Sequence, residues 1–232
     1  MRYIALDTET TGLKVELGHR LIEIGCLEIV DRFFTGKKFH QKINPKRTVD
    51  ESAQKVHGMS EKDLVNFPEF HQIVDEFCLF VRDSTLIIHN AAFDTSFLNY
   101  ELIKIGKPRI EELVFDVIDS LKLARSLHPG KRNSLDALCS RYSIDNSERV
   151  FHGAILDAQL LGEVYLAMTR GQDSLKIDEL DSKPNADLTN NMKNNIKKVY
   201  VQKAMSTENE AHTKYIEKML EEGTKPLFLS ED

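Results

Sequence analysis

The chain has only three cysteines, Cys26, Cys78 and Cys139. An odd number in apolar surroundings excludes a disulfide framework, and the spacing is not that of zinc ligands; buried, reduced thiols in a cytoplasmic protein are expected. No apolar run approaches the length that spans a bilayer, so no contact with a membrane is expected. The first residues enter a strand pattern directly, without the regions of a secretory leader. Positive charge is not in excess. The formal net charge is −6, so bulk charge does not advertise nucleic-acid binding. It does not exclude it, because divalent cations bound in an acidic site reverse the local field. There is no internal repeat. What remains is an ordinary composition, 41% hydrophobic and 29% charged over 232 residues. That length allows one full domain with a tail.

The chain is organised around the stretch Ile4 to Leu13, a strand that runs into a turn. A period of two places Asp7 and Glu9 on one face, alternating with Ile4, Leu6 and Thr8. Adjacent carboxylates repel and shift each other's pKa. Two readings fit: an exposed, solvated strand end, or a site for a hard cation such as Mg²⁺ or Mn²⁺.

Downstream, Leu21–Val30 reads as a second strand, Thr35-Gly36-Lys37-Lys38 as a hairpin turn, and Phe39–Ile43 as a third strand stopped by Asn44-Pro45. Ser60 with Asp63 has the form of a capping box. A helix follows Pro68, with apolar residues at helical period from Phe70 to Val81. Thr85–Ile88 is short and mostly apolar, the pattern of a strand buried on both faces. A helix after Asn90, a short strand at Val114–Val117, and helices near Ser120–Leu127, Ser134–Tyr142 and Gly153–Thr169 complete the pattern. The order of elements predicts an α/β fold with a mixed sheet.

Three further acids or bases stand out. Asp94 follows the buried strand and begins a helix, where an acid also suits the helix dipole. Asp157 lies in register with Leu161, Val164 and Met168. A carboxylate on an apolar stripe needs a metal or a donor. His152 precedes Gly153 and is placed on the loop before that helix. Four carboxylates can hold two divalent ions, an arrangement suited to displacement at a phosphodiester, and a histidine of near-neutral pKa suits a general base. The other polar candidates have plainer readings. His89 reads as a strand-end hydrogen-bonding residue, Asp136 as a helix N-terminal charge, and Asp116 and Asp119 as surface acids. Lys131 and Arg132 fit a solvated pair and a phosphate contact equally.

Asp7-Thr8-Glu9, Asn90-Ala91-Ala92-Phe93-Asp94 and His152 with Asp157, in this order, resemble the three exonuclease motifs of the DEDD superfamily, histidine branch. The likeness extends over about residues 1–175 to the epsilon family of proofreading subunits of bacterial DNA polymerase III. It includes His57-Gly58, the run Pro129–Leu138 and Leu156-Asp157-Ala158-Gln159. The resemblance implies an RNase H-like fold, a mixed five-stranded sheet flanked by helices, and 3′→5′ removal of nucleotides from DNA. It implies two Mg²⁺ or Mn²⁺ ions held by Asp7, Glu9, Asp94 and Asp157, with His152 as general base. It also implies that Asp7, Thr8, Glu9, Thr10, Gly12, Leu13, His57 and Asp157 lie along the terminal nucleotide. Where relatives often carry Glu, five residues before that histidine, this chain has Ser52.

Composition shifts near Asp178. Residues 178–195 read as a flexible linker. Lys198–Val201 is a candidate strand, and Thr207 with Glu210 a capping box for a helix ending at Gly223. The expected organisation is therefore a nuclease domain at 1–175, a clamp-peptide end and linker at 176–197, and a docking tail at 198–232. Gln172, Leu175 and Ile177 match the spacing of a sliding-clamp-binding peptide. By resemblance, the tail holds the polymerase III alpha subunit. Two rivals are an exoribonuclease of the oligoribonuclease or ribonuclease T kind, and a non-catalytic polymerase brace. The long tail argues against the first, the complete set of acids and histidine against the second. Truncation after Gly171 is expected to leave an active, stable nuclease that no longer co-purifies with polymerase. A truncated protein that unfolds, or that binds polymerase as well as the full chain, contradicts the tether.

Overall fold

The computed structural model describes residues 1–147, 149, 151–170 and 205–221. The linker, the peptide Gln172–Ile177, the strand expected at 198–201 and the helix end at Gly223 lie outside the described residues. The chain divides into two units, Met1–Glu179 and Leu180–Asp232.

In the first unit a single sheet contains β1 (Arg2–Thr10), β2 (Leu21–Val30), β3 (Phe33–Lys42), β4 (Thr85–Ile88) and β5 (Asp116–Asp119). Its order is β3-β2-β1-β4-β5. The first three strands run antiparallel, while β4 pairs parallel with β1 and β5 parallel with β4. This is the mixed five-stranded sheet expected from the sequence. Around it lie α1 (Glu51–His57), α2 (Glu61–Leu64), α3 (Phe70–Val81), α4 (Ala91–Lys104), α5 (Ile110–Leu113), α6 (Ser120–Leu127), α7 (Leu135–Tyr142) and α8 (Ala154–Met168).

Strand alternation divides the core in two. Ile4, Leu6, Leu86 and Ile88 pack with Phe70 and Phe77 of α3 and with Phe97 and Leu102 of α4. Ala5 and Ile87 face the other way, into Leu138 of α7 and Leu160, Leu161 and Val164 of α8. Burial on both faces is why β4 is apolar after Thr85. The same parity continues along β1, and it directs Asp7 and Glu9 toward α8 and Thr8 toward α4.

The hairpin differs from expectation. Its turn is Asp31-Arg32, two residues at φ 49° and 68°, with Val30 paired to Phe33. Neither is glycine, so the usual turn signal is missing. Arg32 instead reaches across to the C-terminal end of α8, where Leu166 O accepts from Nη2 at 2.7 Å and Thr169 Oγ1 from Nη1 at 3.2 Å. Gly36, the expected turn residue, lies inside β3 at φ +84°. The β2–β3 register shifts there, between Leu27 and Ile29, so the glycine marks a bulge. β5 also begins later than expected, because Asp119 ends it by capping α6. Its carboxylate accepts from Leu121 N and Lys122 N. Asp119 is thus a helix cap and not merely a surface acid, whereas Asp116 is exposed.

In the second unit, α9 (Ser206–Glu221) starts two residues earlier than a helix capped by Thr207 would. The capping contact is also earlier, with Met205 N donating to the Glu208 carboxylate at 2.8 Å. Tyr215 and Leu220 remain exposed.

A close approach of backbone to backbone seats α8 on the sheet. A Cβ built on Gly25 would lie 2.3 Å from the carbonyl of Ala154 and 2.4 Å from Ile155 N. On the neighbouring pair of β2, Glu23 accepts from Ala154 N at 3.1 Å and meets His40 Nε2 at 2.7 Å. Glu23 therefore satisfies a donor at the N-terminus of α8. Gly25→Ala is expected to destabilise the protein by about 3 kcal/mol and to lower activity by moving the start of α8. Urea unfolding measures the first effect. A loss within about 0.5 kcal/mol, the usual effect of a surface change, contradicts the assigned contact.

Candidate active site

Three elements bring their acids to the carboxyl ends of β1 and β4. Asp7 and Glu9 come from β1, Asp94 from the first turn of α4, and Asp157 from the first turn of α8. Asn90 allows the sharp entry into α4 by adopting φ 67°, a conformation that asparagine tolerates better than most residues. His152 lies on the loop before Gly153, the N-cap of α8, and its backbone N–H donates to Val56 O. These residues line one cleft of about 580 Å³, together with His89, Arg125, Lys131, Asn133 and Arg149.

Burial makes the cluster electrostatically costly. Glu9, Asp94 and Asp157 are all buried, and Asp7 is partly so. Desolvation, with the neighbouring charges of Asp157, Glu23 and Asp94, pushes Glu9 up to about 8. Desolvation also lifts Asp94 to about 7, although Thr8 Oγ1 donates to its Oδ1 at 2.7 Å. Asp7 is raised well above the usual carboxylate range by burial and then by Asp94, Glu9 and Asp157. Asp157 goes the other way. Its burial opposes ionisation, but His152 and Arg149 outweigh that and hold it below the usual range. One ligand atom each from Glu9, His152 and Asp157 lie within 4.8 Å of one another, close enough to share a cation.

A second, mostly apolar pocket adjoins the cleft through Thr8, Glu9 and Phe93. It is lined by Thr10, Gly12, Leu13, Ser52 and His57, so the residues expected along a terminal nucleotide do come together. Met59 N donates to His57 Nδ1 at 3.1 Å. The ring hydrogen is then on Nε2, which is buried, makes no hydrogen bond of good geometry within the protein and has the Thr10 backbone as its weak partner. A buried donor held this weakly is free to turn to an acceptor from outside. Burial also lowers the His57 pKa, keeping the ring neutral.

The plainer candidates divide. His89 Nδ1 meets Ser120 Oγ at 2.9 Å, a contact at the end of β4. Lys131 lines the cleft. Asp136 accepts from Arg149 Nη1 at 2.5 Å. Arg149 is the residue that the sequence reading missed. It donates from Nε and Nη2 to both oxygens of Asp157, at 2.6 and 2.7 Å, and from Nη2 to His152 Nδ1 at 2.8 Å. No periodicity marks an arginine on a loop; its place three residues before His152 was the available signal.

An exonuclease family matches this sequence over residues 4–165. DNA polymerase III subunit epsilon of Rickettsia typhi is 47% identical over 95% of this chain and 97% of its own length. The subunit of the same name from Escherichia coli K12 is 52% identical over 75% of this chain and 74% of its own. Among solved structures, Exonuclease X in complex with 5′ overhanging duplex DNA superposes with a TM-score of 0.53 at 21% identity, covering 73% of this chain and 90% of that one. An E. coli ExoI–ssDNA complex superposes with a TM-score of 0.65 at 15% identity, covering 74% of this chain and 41% of that one. These two likenesses show the fold, and the sequence relatives go further: the chain belongs to the DNA polymerase III epsilon-subunit family of exonucleases.

Proposed function

We propose that this chain is the proofreading 3′→5′ exodeoxyribonuclease subunit of a bacterial replicative DNA polymerase III, removing mispaired 3′-terminal nucleotides from DNA. The observation that carries this reading is the convergence of Asp7, Glu9, Asp94, Asp157 and His152 in one cleft beside an apolar pocket.

The donor set fits divalent cations. Hard oxygen ligands crowd together, and three of the carboxylates are driven toward their protonated forms when nothing neutralises them. Asp7, Glu9, Asp94 and Asp157 would hold two Mg²⁺ or Mn²⁺ ions, which when bound supply positive charge for in-line displacement at the scissile phosphodiester. The chain's own groups do the rest. Thr8 orients the Asp94 carboxylate through its hydroxyl. His152 takes the proton of the attacking water. The apolar pocket receives the terminal sugar and base, against Leu13 and Ser52, and His57 Nε2–H supplies a hydrogen bond to them. Arg125 and Lys131, on the cleft wall, meet the phosphate backbone.

The C-terminal part is assigned by pattern. The segment 198–232 docks on the polymerase alpha subunit, with exposed Tyr215 and Leu220 of α9 as apolar surface for that partner. Gln172–Ile177 contacts the sliding clamp, and the linker lets the nuclease domain at 1–175 reach the primer end. Such a subunit works in the cytoplasm, where the replication machinery is.

Asp7→Ala and Asp157→Ala are each expected to abolish release of mononucleotides from single-stranded DNA. His152→Ala is expected to slow single-turnover cleavage by roughly 10²–10⁴-fold while DNA binding is retained. Near-normal turnover by either aspartate variant in Mg²⁺ overturns the assignment. Faster cleavage of RNA than of DNA by the unaltered protein would favour the ribonuclease reading.

A further inference from the structure

Arg149 is not explained by the roles assigned so far. Its side chain is 7% exposed, although arginine is rarely buried, and its anchor Asp157 is 3% exposed. The guanidinium fork matches the carboxylate in two parallel hydrogen bonds, while Nη1 reaches back to Asp136 on α7. A third direction is taken by His152 Nδ1, 2.8 Å from Nη2. Arginine can only donate. In this contact Nδ1 accepts, and the hydrogen of a neutral ring is on Nε2; the alternative, Nδ1–H donating to Asp157 Oδ2 at 3.2 Å, is the contact by which His152 helps hold that carboxylate ionised. A neutral imidazole has a single basic lone pair, so with Arg149 in place His152 has none left for a proton from water.

The same two residues, with Glu9, form the group whose ligand atoms could share a cation. A divalent ion there meets a fixed positive charge that already engages both Asp157 oxygens and the His152 nitrogen. We propose that Arg149 is a positioning residue, an internal cation that holds Asp157 and His152 before metal arrives and is exchanged for it. The proposal rests on the reading of Asp157 as a metal ligand and His152 as the base. Before exchange, Arg149 neutralises a buried carboxylate that would otherwise be unpaired, and it caps the base. After exchange, Asp136 remains as its partner. Asp136 suits that role because its side chain is 58% exposed and tolerates either state of the neighbouring site.

The test is Mn²⁺ binding to the full-length protein without DNA, with free Mn²⁺ counted by its electron paramagnetic resonance signal. Arg149→Gln is expected to bind Mn²⁺ roughly tenfold more tightly than the unaltered protein, because a competing charge has gone. Arg149→Lys, whose ammonium cannot match both carboxylate oxygens, is expected to fall between the two. It decides the question if the glutamine variant fails to fold. Melting temperatures give the second readout. Arg149→Gln is expected to lose stability without metal and to recover most of it in saturating Mn²⁺. Equal or weaker Mn²⁺ affinity in both variants, or a loss of stability that metal does not repair, overturns the exchange. Asp157→Asn is the control for the underlying site. It is expected to weaken Mn²⁺ binding strongly, and unchanged binding by that variant means that the metal-site reading itself has failed.

Discussion

Four carboxylates share one partly desolvated cleft, and ionising any of them makes the others harder to ionise. Burial adds the larger cost: desolvation is the main reason that Glu9 is raised to about 8, with Asp157, Glu23 and Asp94 adding to it, and that Asp94 is raised to about 7. A group whose pKa is raised by folding stabilises the folded state while it stays protonated. That contribution is complete below the ordinary carboxylate range and is lost as the pH rises through the folded value. For the protein without metal the penalty from these acids therefore grows between about pH 4.5 and pH 8 and keeps its full size above that. Asp157 has the opposite sign, because His152 and Arg149 favour its charged form. Cations bound in the cleft would relieve a burial and repulsion cost that hydrogen bonds alone do not.

The sheet explains how such a cluster is built. Alternation along β1 gives Asp7 and Glu9 to the layer of α8 and Thr8 to the layer of α4. Asp157 and Asp94 come from those two helices, so each side of the strand finds its counterpart. The placement of α8 is tight, with Gly25 against Ala154 and Glu23 on the Ala154 N–H. The tight contact keeps Asp157 in place and leaves His152 outside the helix. Gly153 separates the fixed acid from His152.

Much of this was legible in the sequence where a periodicity or a motif carried it. Parity paired Asp7 with Glu9, the apolar stripe made Asp157 conspicuous, and the apolar run at Thr85–Ile88 foretold a central strand. What escaped depends on tertiary contacts. The hairpin turn at Asp31-Arg32 has no glycine and is supported by carbonyl and hydroxyl oxygens at the end of α8. Gly36 gave a turn signal, but its conformation serves a bulge. Asp119 reads as a surface acid until α6 is seen to begin at the next residue. Arg149 is anonymous in a polar loop, and only Asp157, His152 and Asp136 arranged around it give it a role.

The central claim is that the acids of the cleft hold protons in the metal-free protein and give them up to metal. Calorimetric titration of Mn²⁺ into the protein, repeated at each pH in buffers of different ionisation enthalpy, counts the protons released. With Glu9 at about 8 and Asp94 at about 7, binding at pH 7 is predicted to release about one proton or more. The release should fade as the pH is raised well above 8, where both acids are already ionised. Metal binding that leaves the proton count unchanged across this range would contradict the account.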